Sequence, residues 1–343
     1  MRSPKAVIYG LSGPRITSEE RRFFAAIDPL GFILFARNIG EPPAVRDLVA
    51  ALRDLVERAD APVLIDQEGG RVQRLKPPHW RAAPPAARFG ALYRQHESAG
   101  LEAAGLNAQL IAMELAELGI TVDCAPVLDL AVAGAHDVIG DRAFDRDPAI
   151  VAALGAAACD GLRAGGVMPV IKHIPGHGRA AVDSHHDLPT VGAPAAELEA
   201  SDFEPFRRVG GGAHADRCWA MTAHIVFQAY DATAPLTLSA RAIDRVVRGA
   251  IGFDGVLLSD DVSMQALAGD VGERAAGALA AGCDVVLHCN GDMEEMRAIA
   301  RAVGPLSERA RGRLARAAAA LPVPATLDPG AVRARLDSLL AAA

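Results

Sequence analysis

The chain has 343 residues, a formal net charge of −7 and a hydrophobic content of 51%. This apolar fraction is enough for a large core, and the acidic balance without a basic block argues against a nucleic-acid surface. The N-terminal apolar run is too short for a signal peptide, and no run approaches the roughly 18 apolar residues of a membrane helix. The five cysteines form no CxxC pair, so neither a disulfide framework nor a zinc ribbon is expected. These bounds predict a soluble cytoplasmic protein without nucleic-acid or membrane partners.

Short apolar runs alternate with helical stretches along the whole chain. The predicted strands cover 6–10, 31–35, 62–65, 120–128, 167–171, 218–223, 255–258 and 283–287. The predicted helices cover 17–27, 44–58, 97–118, 148–164, 195–208, 239–250, 264–281 and 293–303. The stretch from residue 75 to about 90, rich in Pro and Ala, is interpreted as an insertion, and Pro205 is an awkward interruption of its helix.

This alternation indicates βαβ units and a parallel sheet, and eight units fit a closed barrel better than an open sheet. The chain has no GxGxxG after its first strand, which lowers the dinucleotide-binding alternative. We therefore predict an α/β fold, a single-domain (β/α)8 TIM barrel over about residues 5–305 with a C-terminal helical extension over about 306–343.

Polar residues gather where five of the predicted strands end. They are Asp66, Asp129, Lys172 with His173, His224, and Asp260 with Asp261. In a barrel of this kind the active site lies at the carboxyl ends of the strands. A single aspartate at such a place can simply cap the next helix, which suits Asp129 and Asp261. Capping does not account for five strands at once.

A glycine-rich loop follows the fifth predicted strand. Residues 172–178 read KHIPGHG, and the loop 179–189 carries Asp183, His185, His186 and Asp187. Taken alone, this stretch could be a plain turn with solvated histidines, or a metal site, since His and Asp are common ligands. Because its glycines permit large backbone changes, the loop is expected to be mobile and to order over a bound ligand.

One mechanism fits Asp260 together with this loop. A retaining glycosidase needs a carboxylate nucleophile and a proton donor beside the leaving oxygen. A histidine held by an aspartate can be that donor, because imidazole titrates near neutral pH. Asp183 precedes His185 by two residues and is near enough to orient its ring.

Charged residues elsewhere could hold the hydroxyl groups of a sugar. Lys172, Arg74 and Arg142 supply donors, and Asp66 could accept from two adjacent hydroxyls at once. Asp66 could equally be a buried structural acid. The residues alone do not decide between these two roles.

The chain resembles glycoside hydrolase family 3, and in particular its cytoplasmic β-N-acetylglucosaminidases of cell-wall recycling. The matching segments occur in the family's order and are 66–74 (DQEGGRVQR), 139–144 (IGDRAF), 172–178 (KHIPGHG), 183–185 (DSH) and 259–264 (SDDVSM). Ile174 stands where the family has Phe, a change in the core that is expected to be mild. Together the segments are highly specific, although each alone would be weak.

The resemblance implies roles for individual residues. Asp260 would be the nucleophile, His185 the acid/base and Asp183 its partner. The positions that match the family's sugar-binding residues are Asp66, Arg74, Arg142, Lys172 and His173. Without the resemblance, the residues would not distinguish Asp260 from Asp261, or His185 from its neighbour His186.

The resemblance also implies an activity. The protein would be a β-N-acetylhexosaminidase that removes terminal, non-reducing N-acetylglucosamine from N-acetylglucosaminyl-anhydromuropeptides with retention of configuration. It would need no metal or organic cofactor, and it would be a monomer or a weak homo-oligomer. Two alternatives remain open: a phosphorylase, since a histidine acid/base would not repel phosphate, and a sugar-binding protein that has lost catalysis. The presence of Asp260, Asp183 and His185 counts against the second.

Overall fold

Eight parallel strands close into a barrel in the computed structural model, which describes residues 3–132, 134, 137–180, 182, 184, 187–324 and 327–341. The strands are β1 (Lys5–Gly10), β2 (Pro29–Leu34), β3 (Val63–Ile65), β4 (Val122–Asp123), β5 (Met168–Ile174), β6 (Trp219–Thr222), β7 (Leu257–Asp261) and β8 (Val285–His288). Each strand pairs with the next in chain order, and β8 pairs with β1 to complete the ring. The predicted (β/α)8 barrel is confirmed.

Helices surround the barrel and extend beyond its last strand. They are α1 (Ser18–Ile27), α2 (Pro42–Leu55), α3 (Ala86–Gln95), α4 (Glu97–Glu117), α5 (Pro148–Ala164), α6 (Ala195–Ala200), α7 (Glu204–Gly210), α8 (Ala240–Ala242, continued as a π-helix over Ile243–Ala250), α9 (Val271–Ala281), α10 (Met293–Ala302), α11 (Glu308–Ala320) and α12 (Pro329–Ala341). The last two helices form the predicted C-terminal extension. In the described part of the chain, no helix combines the length and the apolar character needed to cross a membrane.

Local sequence signals explain where several helices begin. Helix α1 starts with a capping box in which the Glu20 amide donates to Thr17 Oγ1 (3.1 Å) and the Thr17 amide donates to a Glu20 carboxylate oxygen (2.8 Å). Helix α5 starts with Pro148 after Asp147, whose carboxylate accepts from the Ala149 amide at 2.8 Å. These caps satisfy amides that have no partner within the helix.

The barrel strands are buried because helices cover them from outside and side chains fill them from inside. All six residues of β2 are buried. Within β2, a Cβ atom added to Gly31 would lie 2.2 Å from the Pro62 carbonyl oxygen. Only glycine therefore allows β2 to pass so close to the residue that precedes β3.

Some element bounds differ from the predicted ones for clear physical reasons. Strand β4 is far shorter than the apolar run 120–128, which contains Pro126, and proline has no amide to donate to a ladder. The predicted helix 195–208 is two helices, with Pro205 in the first turn of α7, where its missing amide costs nothing. The end of the predicted insertion is helical, as part of α3.

Candidate active site

An open cleft of about 670 Å³ lies at the carboxyl ends of the barrel strands. It is lined by Ile33, Phe35, Asp66, Glu68, Val72, Arg74, Arg142, Lys172, His173, Met221, Asp260, Asp261, Met264, Leu287 and Cys289. The fold thus brings all five predicted sugar-binding residues and the predicted nucleophile into one place. The lining also has apolar walls, as expected for a small-molecule site.

Two pairs of consecutive polar residues reach this cleft because their strands are irregular. Lys172 and His173 lie within β5, not after it, and Asp260 and Asp261 lie within β7. In a regular strand, neighbouring side chains point to opposite faces. The register of β5 against β6 shifts just after Lys172, and that of β7 against β8 shifts just before Asp261. Each shift inserts one extra residue, which interrupts the alternation and allows both neighbours to face the cleft.

Five charged side chains form a chain of alternating sign along one wall. Lys172 Nζ lies 2.9 Å from Asp66 Oδ1 and 2.6 Å from Glu68 Oε1. The outer members are Arg74, whose Nη2 donates to Asp66 Oδ2 at 3.0 Å, and Arg142, which donates to Glu68 through two bonds of 2.8 Å. The order along the wall is therefore Arg74, Asp66, Lys172, Glu68, Arg142.

The alternation keeps these groups ionised despite their burial. Burial by itself raises the pKa of Asp66, but Lys172 and Arg74 outweigh it and hold the net pKa below its ordinary value. The pKa of Glu68 is likewise raised by burial and lowered further by Lys172 and Arg142. Burial lowers the pKa of Lys172, and the two carboxylates raise it above its usual value. The wall therefore presents fixed charges at neutral pH.

Glu68 was missed in the sequence, although a signal was present. It lies two residues after Asp66, and residues two apart in an extended segment share a face. Its side chain is only 7% exposed and accepts from both Lys172 and Arg142. A second carboxylate at that spacing in the segment 66–74 could have been predicted to join the first.

Asp129 holds His173 and does not cap a helix, so the capping interpretation is wrong for this residue. It is fully buried, and its Oδ2 lies 2.6 Å from His173 Nδ1. Its Oδ1 accepts from the amides of His173 (3.1 Å) and His177 (2.6 Å). Burial raises the pKa of Asp129, but His173 and His177 outweigh it and make the net shift downward. With Nδ1 bonded to the carboxylate, Nε2 is the ring atom of His173 that is available to a ligand.

The two aspartates of β7 have different surroundings. Asp261 Oδ1 accepts from the amides of Ser263 (3.0 Å) and Cys289 (3.2 Å), and its Oδ2 accepts from the Ser263 hydroxyl (2.7 Å). Asp260 Oδ1 accepts from the amide of Asp261 at 2.8 Å. Asp261 thus joins the ends of two strands and, contrary to the capping interpretation, caps a turn instead of a helix. Asp260 is the better candidate for a nucleophile.

The predicted acid/base residue lies outside the described residues. His185, Asp183 and the neighbouring His186 all fall there, as does part of the loop expected to close over a ligand. Ser184 is described and buried, and its Oγ lies 3.0 Å from His177 Nε2. Among the described residues, no group of three or more His, Cys, Asp or Glu side chains is placed to hold a metal ion.

Known proteins are similar to this chain in sequence and in fold. The glycosyl hydrolase family 3 N-terminal domain matches residues 6–318. A beta-hexosaminidase from Alkalilimnicola ehrlichii is 40% identical over 287 residues, which are 83% of this chain and 80% of that protein. A second beta-hexosaminidase, from Xanthomonas oryzae, is 39% identical over 85% of this chain and 86% of its own length.

Solved structures agree with this relationship. NagZ from Neisseria gonorrhoeae, in complex with N-trifluoroacetyl-D-glucosamine, superposes with a TM-score of 0.83 at 34% identity, covering 99% of this chain and 97% of that one. A family 3 beta-N-acetylglucosaminidase from Paenibacillus superposes with a TM-score of 0.84 at 32% identity. The alignment covers 97% of this chain but 66% of the Paenibacillus protein, which is longer.

Proposed function

The chain belongs to glycosyl hydrolase family 3 and is a glycosidase of the β-N-acetylhexosaminidase class, and we propose that it releases terminal β-linked N-acetylglucosamine from muropeptide fragments with retention of configuration. The observation that supports the proposal most is that Asp260 lines the same cleft as the wall of alternating charges. The glucosamine derivative bound to the Neisseria relative supports an N-acylated glucosamine as the sugar.

In the first step, a carboxylate oxygen of Asp260 attacks the anomeric carbon while the bond to the leaving oxygen breaks. His185 donates its proton to that oxygen, and Asp183 orients the imidazole and stabilises the charge that it carries before the transfer. The product is a covalent ester between the sugar and Asp260. Asp261 is unsuited to this attack, since its carboxylate already holds Ser263 and Cys289.

In the second step, His185 removes a proton from a water molecule, which attacks the same anomeric carbon and expels the Asp260 carboxylate. Each step inverts the configuration at that carbon, so the released sugar has the configuration of the substrate. The histidine is restored to its protonated form for the next turnover.

The cleft wall binds the sugar hydroxyls without having to rearrange. Asp66 accepts from Lys172 through one oxygen and from Arg74 through the other, and each oxygen keeps a lone pair for a hydroxyl. These contacts, with the cleft-facing position of Asp66, favour the sugar-binding role over that of a structural acid. His173, which Asp129 holds in place, and Arg142, which Glu68 holds in place, offer further hydrogen-bonding groups to the sugar. Side chains pinned in this way lose little entropy when a substrate binds.

Four measurements test the proposal. Turnover of a chromogenic β-N-acetylglucosaminide in phosphate-free buffer separates hydrolysis from phosphorolysis, and proton NMR of the first product gives its anomeric configuration. The proposal requires hydrolysis and initial release of the β-anomer. Comparison of a purified N-acetylglucosaminyl-anhydromuropeptide with chitobiose tests the substrate, and faster cleavage of chitobiose would contradict the muropeptide assignment. Cell fractionation would test the cytoplasmic location that belongs to the same proposal.

The covalent step can be tested directly. A 5-fluoro glycosyl fluoride of N-acetylglucosamine should slow the second step more than the first and let the glycosyl enzyme accumulate. Peptide mapping by mass spectrometry should then locate the adduct on Asp260. An adduct on Asp261, or turnover with no adduct, would overturn the assignment.

A further inference from the structure

Three side chains behind the cleft hold the backbone around Asp260. Thr222 ends β6, His224 follows it, and Thr237 lies in the turn Leu236–Leu238. All three residues are completely buried. None of them lines the cleft, so they do not touch a substrate there.

These side chains connect two backbone groups of β7. The Asp260 amide donates to Thr222 Oγ1 at 3.4 Å, the longest contact of the series. Thr222 Oγ1 lies 2.8 Å from Thr237 Oγ1, which lies 2.7 Å from His224 Nδ1. His224 Nε2 lies 3.0 Å from the Asp261 carbonyl oxygen. The series therefore runs from the amide of Asp260 to the carbonyl of the next residue.

The Asp261 carbonyl and a neutral His224 ring together give the protons of this series one direction. A carbonyl oxygen can only accept, so His224 Nε2 must carry a hydrogen and donate it to Asp261. In a neutral ring Nδ1 is then an acceptor, and the hydroxyl of Thr237 donates to it. The Thr237 oxygen in turn accepts from Thr222, whose oxygen accepts from the Asp260 amide. All the hydrogen bonds point the same way, an arrangement in which each bond polarises the next.

The charge state of His224 agrees with this direction. Burial lowers the pKa of His224, and the nearby carboxylates of Asp260 and Asp261 offset only part of that effect, so the ring is neutral at pH 7. The Thr237 hydroxyl has a second possible acceptor, the Ala223 carbonyl, but at 3.2 Å it is the more distant one. The histidine is therefore held in its Nε2–H tautomer.

Regular pairing with β6 does not reach this part of β7, although Asp261 still pairs with Leu287 of β8. The ladder between β7 and β6 pairs Leu257 with Ala220 and Leu258 with Met221, and no pair follows. On the other side, the register against β8 shifts between Leu258 and Asp261. The strand end that carries Asp260 is thus held from the β6 side by side chains in place of ladder bonds.

We propose that His224 is a positioning residue for the nucleophile, acting through Thr237 and the Asp261 carbonyl. This role rests on the proposed function, because it presumes that Asp260 attacks the sugar. Attack requires the reacting atoms to meet at about 3–3.5 Å, and a misplacement of about 1 Å can cost about 100-fold in rate. A backbone segment that lacks ladder pairing on its β6 side needs another contact there to reach that precision, and the His224 series supplies it.

Substitutions that break the series test the proposal. Thr237→Val replaces the hydroxyl by a methyl of similar size, and His224→Phe removes both ring nitrogens. Each should lower kcat/KM about 10- to 100-fold on both an aryl glycoside and a disaccharide, since bond formation to Asp260 is common to both. The inhibition constant of free N-acetylglucosamine should stay within about 2-fold, because the sugar-binding wall is untouched.

Two controls separate positioning from general stability. Thr237→Ser keeps the hydroxyl and should retain near-normal kcat/KM. His288→Gln alters another fully buried histidine at a strand end, whose Nε2 bonds Glu295 at 2.9 Å, and it should lower the melting temperature while kcat/KM stays within about 2-fold. The role of His224 would be overturned if Thr237→Ser lost as much kcat/KM as Thr237→Val. It would also be overturned if His288→Gln lost as much kcat/KM as His224→Phe.

The outcome can be told apart from a failure of the proposed function. An active Asp260→Asn variant would overturn the function itself, whatever the His224 variants do. An inactive Asp260→Asn variant combined with a fully active Thr237→Val variant would overturn only the positioning role. If His224→Phe does not fold, Thr237→Val still tests the positioning role, because this substitution only replaces the hydroxyl of Thr237 by a methyl group.

Discussion

Arg142 and Glu68 face each other through two parallel hydrogen bonds of 2.8 Å, from Nε to Oε2 and from Nη2 to Oε1. Both side chains are nearly buried, at 11% and 7% exposure. This two-bond geometry fixes the plane of the guanidinium, which a single contact would leave free to rotate. It also makes Glu68 the link between Arg142 and Lys172 in the cleft wall.

Replacing Glu68 with Gln should therefore weaken both the fold and the enzyme. The variant leaves Arg142 and Lys172 short of one negative charge, and loss of one partner of a buried pair costs about 3–5 kcal/mol of unfolding free energy. We expect a fall in kcat/KM carried largely by KM, because the wall would bind hydroxyls less well. Urea unfolding and steady-state kinetics measure the two effects.

The chain offers a matched control for that prediction. Glu102 accepts two hydrogen bonds of 2.7 Å from Arg335, so the pairing is the same, but both side chains are largely exposed. Solvent screens such a pair, and Glu102→Gln should change stability and activity little. Equal effects of Glu68→Gln and Glu102→Gln would contradict a special role for the buried pair.

Two buried aspartates should differ in their response to the same substitution. Asp129 is ionised and holds His173 at 2.6 Å, so Asp129→Asn should lower kcat/KM by about 100-fold through a misplaced ring. Burial raises the pKa of Asp123 well above its usual value, which favours the neutral carboxyl, and its Oδ1 accepts from the Gln67 amide at 3.0 Å, a bond that an asparagine oxygen can also accept. Asp123→Asn should therefore leave activity near normal, as measured on an aryl glycoside. Similar losses in both variants would show that burial, and not the contact with His173, explains the effect.

Substitutions of the two aspartates of β7 should have different effects, one on turnover and the other on thermal stability. Asp260→Asn should abolish turnover with an unchanged melting temperature, because no other carboxylate can replace the nucleophile. Asp261→Asn should lower the melting temperature, since its carboxylate holds Ser263 and Cys289, and should leave measurable turnover. An inactive Asp261→Asn variant beside an active Asp260→Asn variant would mean that the nucleophile was assigned to the wrong aspartate.

His177 should make the folded state sensitive to acid. Burial and the nearby His173 lower the pKa of His177 from 6.5 to about 4. Between these two values the unfolded chain binds the proton and the folded chain does not. The contribution of His177 to the unfolding free energy is therefore fully present above pH 6.5 and is lost as the pH drops towards 4. At 1.36 kcal/mol per pKa unit the loss from this group is about 3 kcal/mol.

The measurement is the unfolding free energy between pH 7 and 4.5 for the wild type and for His177→Gln. The variant lacks the titrating ring, so its stability should fall less steeply over this range, even if it starts lower at pH 7. An identical slope in the two proteins would assign the acid sensitivity to other groups.

His185→Ala should affect substrates according to their leaving groups. An aryl glycoside with a good leaving group needs little protonation, so its glycosylation step should suffer less than that of a natural disaccharide. The comparison must be made on the first turnover, before deglycosylation becomes limiting. Equal losses on both substrates would argue against His185 as the acid.

The sequence by itself determined the fold class and the face on which the site lies. Continuous apolar runs such as 167–171 and 255–258 record strands buried on both sides, and their alternation with helical periodicity indicates a parallel barrel. Polar residues at the ends of those runs then mark one end of the barrel, because parallel strands all finish there. This much depends on local periodicity, which a single sequence carries.

Only the tertiary structure decided which of those residues act together. Glu68 and Arg142 are 74 positions apart, and Lys172 and Asp66 are 106 apart, so closure of the barrel alone brings them into contact. The choice between Asp260 and Asp261 depends on a register shift and on a bond from the amide of Cys289, the residue that follows β8. Local sequence patterns record which way a side chain points along its own strand. They do not record distances between strands, which depend on the packing of the whole barrel.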